Sequence, residues 1–241
     1  MCGSGGPSSS CRSPNWPCCR RAGRLLRLVL PTDDARPLKL LCLGAHADDI
    51  EIGCGGTVLR LVAERPDIVV RWVVFSGDGR RDAEARDSAA EFLAGSAAHE
   101  VEVMKFRDGY FPSQHAEIKD CFETLKRGFE PSLVLTHWSG DAHQDHRIVS
   151  ELTGNTFRNH LVLQYEIPKY DGDTGSPNFF VPLTRAQAAR KVALLARHFP
   201  SQHGRGWFTD ETFLGLARLR GIGCNAAEGL AEAFFAGKVV F

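Results

Sequence analysis

Residues 38–57 read LKLLCLGAHADDIEIGCGGT, and the reading of this stretch organises the whole chain. Leu38–Leu43 is an apolar run of strand length. The sequence then turns through His46, Asp48 and Asp49, passes Gly55 and Gly56, and settles into a helical pattern over Thr57–Glu64. An apolar strand that ends in a polar turn and feeds a helix is the first half of a βαβ unit. Open α/β sheets bind ligands beyond the carboxyl ends of their strands, which is where His46, Asp48 and Asp49 fall. Taken alone, this cluster reads equally well as a polar turn that caps the next helix.

A second stretch tips the balance. Leu133–Trp138 (LVLTHW) is another apolar strand, and it runs into SGDAHQDHR with Asp141, His143, Asp145 and His146. Two polar clusters, each directly after a strand, can meet at one sheet edge. Zinc takes imidazole nitrogens and carboxylate oxygens, and a catalytic zinc keeps one position open. His46, Asp49 and His146 supply a two-histidine, one-carboxylate set, which leaves Asp48 and His143 for acid–base work. His143 and His146 are three apart, so both can project from one side of a first helical turn. The glycines at 53, 55 and 56 do not form a dinucleotide-binding GxGxxG loop directly after the strand, because the His-Asp-Asp turn intervenes.

Outward from these two stretches the chain keeps a strand–helix rhythm. Strands are expected at Ile68–Ser76, Glu100–Phe106 and Leu161–Ile167, with a short extended piece at Phe179–Leu183. Helices are expected over Asp82–Leu93, His115–Gly128, His143 to about Arg158, Arg185–His198 behind a Thr184 N-cap, and Glu211–Arg220. Lys169–Asn178 and Gly204–Thr209 read as loops, and Tyr170, Asp171, Asp173 and Asn178 of the first can, like the arginines after the second strand, meet substrate oxygens. The Ala-rich tail, Asn225–Phe241, is expected to be helical. This alternation predicts a Rossmann-like α/β domain over 37–241, a mostly parallel sheet with helices on both faces. Residues 1–36, rich in Gly, Ser, Pro, Cys and Arg, are expected to be a disordered extension.

Bulk composition excludes several classes. The 241 residues carry 29 basic and 29 acidic side chains, a net charge of zero, and no basic tract that would mark a nucleic-acid surface. No apolar stretch is long enough for a membrane span. Leu25–Leu30 is short, interrupted by Arg27 and followed by no clear cleavage site, so it does not read as a signal peptide. A cytoplasmic location is therefore expected, with Cys42, Cys54, Cys121 and Cys224 as reduced thiols. Composition leaves the oligomeric state open. His137, inside a strand, reads as a satisfied core histidine with a possible supporting role. Arg80, Arg81 and Arg86 read as the solvated start of a helix, although their place after the second strand lets one of them meet substrate oxygens.

These motifs carry a family resemblance. AHADDIEIGCGGT at 45–57 is similar to the AHPDDxExGxGGT motif of the PIG-L/LmbE-like zinc-dependent N-deacetylases, and HQDH at 143–146 resembles their HxDH. RDAE at 81–84 and Ser201-Gln202 extend the likeness, while Ala47 stands where the family usually has proline. The resemblance implies one Zn2+ per chain, held by His46, Asp49 and His146. It implies Asp48 as general base, His143 as the group that polarises or protonates the tetrahedral species with Asp145 orienting it, and Arg81 as a substrate contact. The implied reaction is removal of an N-acetyl group from an N-acetylglucosamine-type conjugate. The alternatives are cleavage of another amide on a sugar conjugate, or a non-catalytic carbohydrate-binding module. Because 1–36 look like neither core nor cleavable signal, a chain beginning near Ala35 is expected to fold as the full chain does. A large fall in melting temperature on that truncation would refute this.

Overall fold

The structure, a computed structural model, describes residues 37–239; the extension expected over 1–36 lies outside them. Seven strands form one sheet in the order β3-β2-β1-β4-β5-β7-β6. They are β1 (Lys39–His46), β2 (Val69–Ser76), β3 (Ala98–Val103), β4 (Leu133–His137), β5 (Leu161–Tyr165), β6 (Phe179–Leu183) and β7 (Leu230–Ala236). The helices are α1 (Asp49–Glu64), α2 (Gly79–Phe92), α3 (His115–Gly128), α4 (Gln144–Thr156), α5 (Arg185–His198) and α6 (Asp210–Gly223). β1 through β5 pair in parallel, and β7 pairs antiparallel with both β5 and β6. No described helix is long and apolar enough to cross a membrane.

The chain leaves β1 toward β2 and β3 on one side, then returns to place β4 on the other. β1 and β4 therefore flank the point where the winding reverses, and such a point opens a crevice beyond the strand ends. α3 and α4 pack on one face; α1, α2 and α5 pack on the other. Beneath α3 and α4, alternate residues Leu41, Leu43 and Ala45 of β1 join Phe75, Phe122, Val149 and Phe157 in the core, with Phe75 and Phe122 stacked at 5.1 Å. Alternation along β1 sends Leu40 and Cys42 to the opposite face, where they are also fully buried.

Two expectations are corrected. α1 begins at Asp49, eight residues before the expected start, although glycine weakens a helix interior. Close packing is the reason. A Cβ on Gly53 would lie 2.1 Å from the Tyr165 ring, and one on Gly56 would lie 2.5 Å from Leu183 and 2.9 Å from the Glu232 carboxylate. The glycines let α1 lie directly on β5, β6 and β7. The second correction is the tail, which is not helical: Leu230–Ala236 is β7. Alanine favours helix as a weak prior, but Ala231–Phe234 are all buried between two strand edges that need a partner. A strand covered on both faces does not alternate, so the period that marks strands is absent. The Thr184 N-cap, by contrast, is present as a full capping box with Gln187.

This packing account separates two glycines. Gly53→Ala is expected to cost about 1–3 kcal/mol by overpacking against Tyr165. Gly154→Ala, at an exposed position of α4 where an added Cβ meets nothing within 4 Å, is expected to gain about 0.5–1 kcal/mol. Denaturant unfolding of the two variants checks the pair.

Candidate metal centre and active site

The two polar clusters of the sequence meet in the crevice between β1 and β4. His46 is the last residue of β1, and Asp49 opens α1. The His46 N–H donates to Asp49 Oδ2 at 2.7 Å, closing the turn. Between them Asp48 takes a left-handed backbone with φ of 103°, a conformation that costs about 1–3 kcal/mol for a non-glycine residue and clusters at functional sites. Asp48 meets Arg81, whereas Asp49 meets His46 and His146. From the other strand, His143 caps α4, and its Nδ1 accepts from the Asp145 N–H at 3.2 Å. His146 lies within the first turn of α4.

One ligand atom each of His46, Asp49 and His146 falls within 4.8 Å of the others. His46 Nδ1 is 3.3 Å from His146 Nε2 and 3.3 Å from Asp49 Oδ2, and His146 Nε2 is 3.5 Å from Asp49 Oδ1. Each imidazole has a carboxylate on its far nitrogen. His146 Nδ1 sits 2.9 Å from Asp141 Oδ2, and His46 Nε2 sits 3.2 Å from Asp145 Oδ2 and 3.1 Å from Asp108 Oδ1. With N–H groups directed at those carboxylates, Nδ1 of His46 and Nε2 of His146 present lone pairs to each other and to Asp49. Such a donor set suits a divalent cation and is of the kind zinc takes.

Two further groupings could hold an ion: His46 with Asp108 and His143, and His137 with Asp141 and His146. Both are weaker. Asp141 is already paired with His146 and with the Lys169 ammonium at 3.0 Å. The Asp108 side chain is 74% exposed. His137, buried at the end of β4, accepts the Ala45 N–H on Nε2 at 2.9 Å and so holds the end of β1; the same nitrogen lies 3.2 Å from Asp49 Oδ2.

The electrostatics follow from burial and crowding. Burial pushes the Asp48 carboxyl up to about 7 against the lowering pull of Arg81. Burial lowers the His146 imidazole to about 4, aided by His137, and burial with the neighbouring His46 lowers His143. His46 alone is held well above the usual range: burial opposes the charge, but Asp49, Asp108 and Asp145 outweigh it. The centre has a surplus of negative charge that a cation would satisfy.

Arg81 reaches across from α2. Its guanidinium donates to Asp48 Oδ1 at 3.1 Å and to the Ala47 carbonyl, and lies 3.5 Å from Ser201 Oγ. Glu84, one helical turn on, accepts from the Ser201 N–H at 3.0 Å and from its hydroxyl. The RDAE and Ser-Gln pieces are thus one brace behind Asp48. Asp145 departs from its expected role. Only its backbone N–H meets His143; its carboxylate, fully buried, faces His46 and accepts from the Gly109 N–H at 2.6 Å and the Phe111 N–H at 3.1 Å. Two contributors escaped the sequence reading. Asp108 looked like half of an Asp-Gly turn, and Lys169 like one member of a polar loop.

With this geometry in view, comparison with known proteins is informative. Residues 41–157 match the family model described as PIG-L, GlcNAc-PI de-N-acetylase. The chain carries a PIG-L domain. The domain match runs from β1 through the end of α4 and so contains the whole cluster. The chain is 26% identical over 167 residues to the uncharacterized deacetylase YaiS of Escherichia coli (strain K12), covering 66% of this chain and 89% of that protein. Among solved structures, N,N'-diacetylchitobiose deacetylase from Pyrococcus horikoshii is similar, with a TM-score of 0.61, 19% identity, and coverage of 82% of this chain and 83% of that one. So is GalB, the 4-carboxy-2-hydroxymuconate hydratase of Pseudomonas putida KT2440, with a TM-score of 0.64, 16% identity, and coverage of 85% and 98%. A hydratase and a deacetylase share the fold of this PIG-L domain, so the fold alone does not choose the chemistry.

Asp145 ties the loop at 108–111 to the centre. Asp145→Ala strips two backbone N–H donors of a charged acceptor, a loss of about 1.5–3 kcal/mol per bond. Amide hydrogen exchange at Gly109 and Phe111 is expected to accelerate well before that of β1 or β4; unchanged protection there would refute the tether.

Proposed function

We propose that this chain is a metal-dependent hydrolase that removes the N-acetyl group from an N-acetylglucosamine-type conjugate. One observation carries the reading: His46, Asp49 and His146 converge beside the strained Asp48 within a PIG-L domain. YaiS and the Pyrococcus protein, both named deacetylases, support it. His46, Asp49 and His146 would hold one divalent ion, zinc by the character of the donors. Such an ion supplies Lewis-acid polarisation of an amide carbonyl and activation of water at neutral pH.

The other residues have separable work. Asp48, met by Arg81, is the general base: it takes a proton from the attacking water and returns it to the departing amine. The C–N bond breaks, leaving acetate and the free amino sugar. Arg81 holds the Asp48 carboxylate in place and presents its remaining N–H groups toward substrate oxygens. His143, at the mouth of the centre with its Nδ1 occupied by the Asp145 N–H, has Nε2 to offer the carbonyl oxygen as negative charge develops there. Asp145 and Asp108 fix the His46 ring, and Asp141 fixes that of His146.

The test is acetate release from a panel of N-acetylglucosamine conjugates, with metal content measured alongside. Chelation is expected to abolish release, and one equivalent of zinc to restore it; full turnover by metal-free protein would sink the mechanism. Asp49→Ala is expected to lose metal and activity together. Asp48→Ala is expected to keep its metal and lose about 10²-fold or more in kcat, the scale of a general base. The reverse pattern would exchange their roles. Asp141→Asn, which weakens the hold on the far side of His146 and the pairing with Lys169, is expected to weaken metal affinity about 10–100-fold in a chelator-competition titration.

A further inference from the structure

We propose that Lys169 is a positioning residue that couples the loop at 169–178 to the metal centre, so that filling the centre steadies the loop and a steady loop tightens the hold on the ion. The inference rests on the metal reading above and adds a residue and a linkage to it.

The loop lies in the connection from β5 to β6 and is tied to the second motif at three points. Lys169 donates to Asp173 at 2.6 Å and pairs with Asp141 at 3.0 Å, with Asp171 farther off at 3.8 Å. Asp173 accepts the Ala142 N–H at 2.6 Å. Farther along, Gly175 lies so close to Trp138 that a Cβ there would stand 2.9 Å from the indole. Trp138, Asp141 and Ala142 all belong to the segment between β4 and α4 that leads into His143 and His146. Two polar side chains of the loop are thereby engaged within the protein. Asp173 is taken by Lys169 and Ala142, and Asn178 exchanges two hydrogen bonds with the Ala236 backbone.

Asp141 is the junction. Its Oδ2 meets His146 Nδ1 at 2.9 Å, while its Oδ1 accepts the His143 N–H at 2.7 Å and faces the Lys169 ammonium. One oxygen thus orients a ligand imidazole and the other receives the loop. The Lys169 side chain is only 9% exposed. Burial opposes its charge, but Asp173 and Asp141 outweigh burial and hold the ammonium above its usual range. An exposed lysine between two acids would be worth little. A buried ammonium is costly away from its partners, so Lys169 and its loop must follow Asp141. With an ion held, the His146 ring is fixed, the ring fixes Asp141, and Asp141 fixes Lys169. Linkage works equally in reverse: the free energy that a bound ion adds to the order of the loop is the free energy that the ordered loop adds to binding of the ion.

The experiment is a chelator-competition titration of zinc on the full chain, on Lys169→Met, on Asp141→Asn and on the double variant. Asp173→Asn is the milder change that decides the matter should Lys169→Met fail to fold. Lys169→Met is expected to weaken zinc binding at least about fivefold, the lower end of ordinary coupling between sites, and Asp173→Asn to weaken it in the same direction. The double variant is expected to bind no more weakly than Asp141→Asn alone, because Lys169 acts through Asp141; additive losses would overturn the chain of contacts. Hydrogen exchange reads the reverse direction. Zinc is expected to slow exchange at the Ala142 amide and across 170–175 in the wild-type chain, and to lose that effect in Lys169→Met. A lysine that merely stabilised the fold would leave the zinc dependence of exchange unchanged. Unaltered zinc affinity in Lys169→Met and Asp173→Asn, or a loop whose exchange ignores zinc, would overturn the coupling alone. If the wild-type chain takes up no zinc, it is the metal reading that fails, and this inference falls with it.

Discussion

Carboxylates and imidazoles crowded beyond the ends of β1 and β4 are the constraint on which the rest of the molecule depends. Asp49, Asp141 and Asp145 are buried, as are His137 and His146. Buried ionisable groups are costly unless each has a partner. Here they partner one another across the crevice, and backbone N–H groups complete the set. Asp49 and Asp145 sit in the first turns of α1 and α4, where the helix dipole favours negative charge. The first turns of both helices carry acids that meet the histidines of β1 and α4.

Such a centre is only as well placed as α1, and α1 is locked by the opposite end of the chain. Glu232, on β7, accepts from the Gly56 N–H at 2.8 Å, the Thr57 N–H at 2.6 Å and the Thr57 hydroxyl at 2.6 Å. Lys191, on α5, bridges Glu232 at 2.7 Å to the Ile52 carbonyl at 2.6 Å. Both charges are buried and both are satisfied, the condition under which a buried pair specifies an arrangement rather than weakening it. Gly56 leaves room for the carboxylate, and Gly53 lets α1 settle on Tyr165. Gly53 and Gly56 thus serve close packing, and the Gly56 N–H also meets the Glu232 carboxylate.

Loops then turn a buried centre into a site. The segment at 108–111 hangs on Asp145, Lys169 is drawn in by Asp141, and Ser201 is held by Glu84. Three connections far apart in sequence converge because each places one polar group on a residue that already serves the cluster. Their outer sides carry Tyr110, Tyr170 and Trp207.

Much of this was legible in the sequence. The parallel core was readable from β1, β2 and β4, whose apolar runs end in polar turns, and α5 from its Thr184 cap. The convergence of His46, Asp49 and His146 was readable because they lie in two compact motifs, each just after a strand. β7 was not readable: with both faces covered it shows no alternation, and its alanines favour helix by themselves. Nor were Asp108, Lys169 and the true partner of Asp145. Period and residue type act over a few neighbours, so a sequence determines which elements form and which chemistry each turn carries. Which carboxylate meets which imidazole depends on contacts between distant segments, and only the tertiary structure decided it.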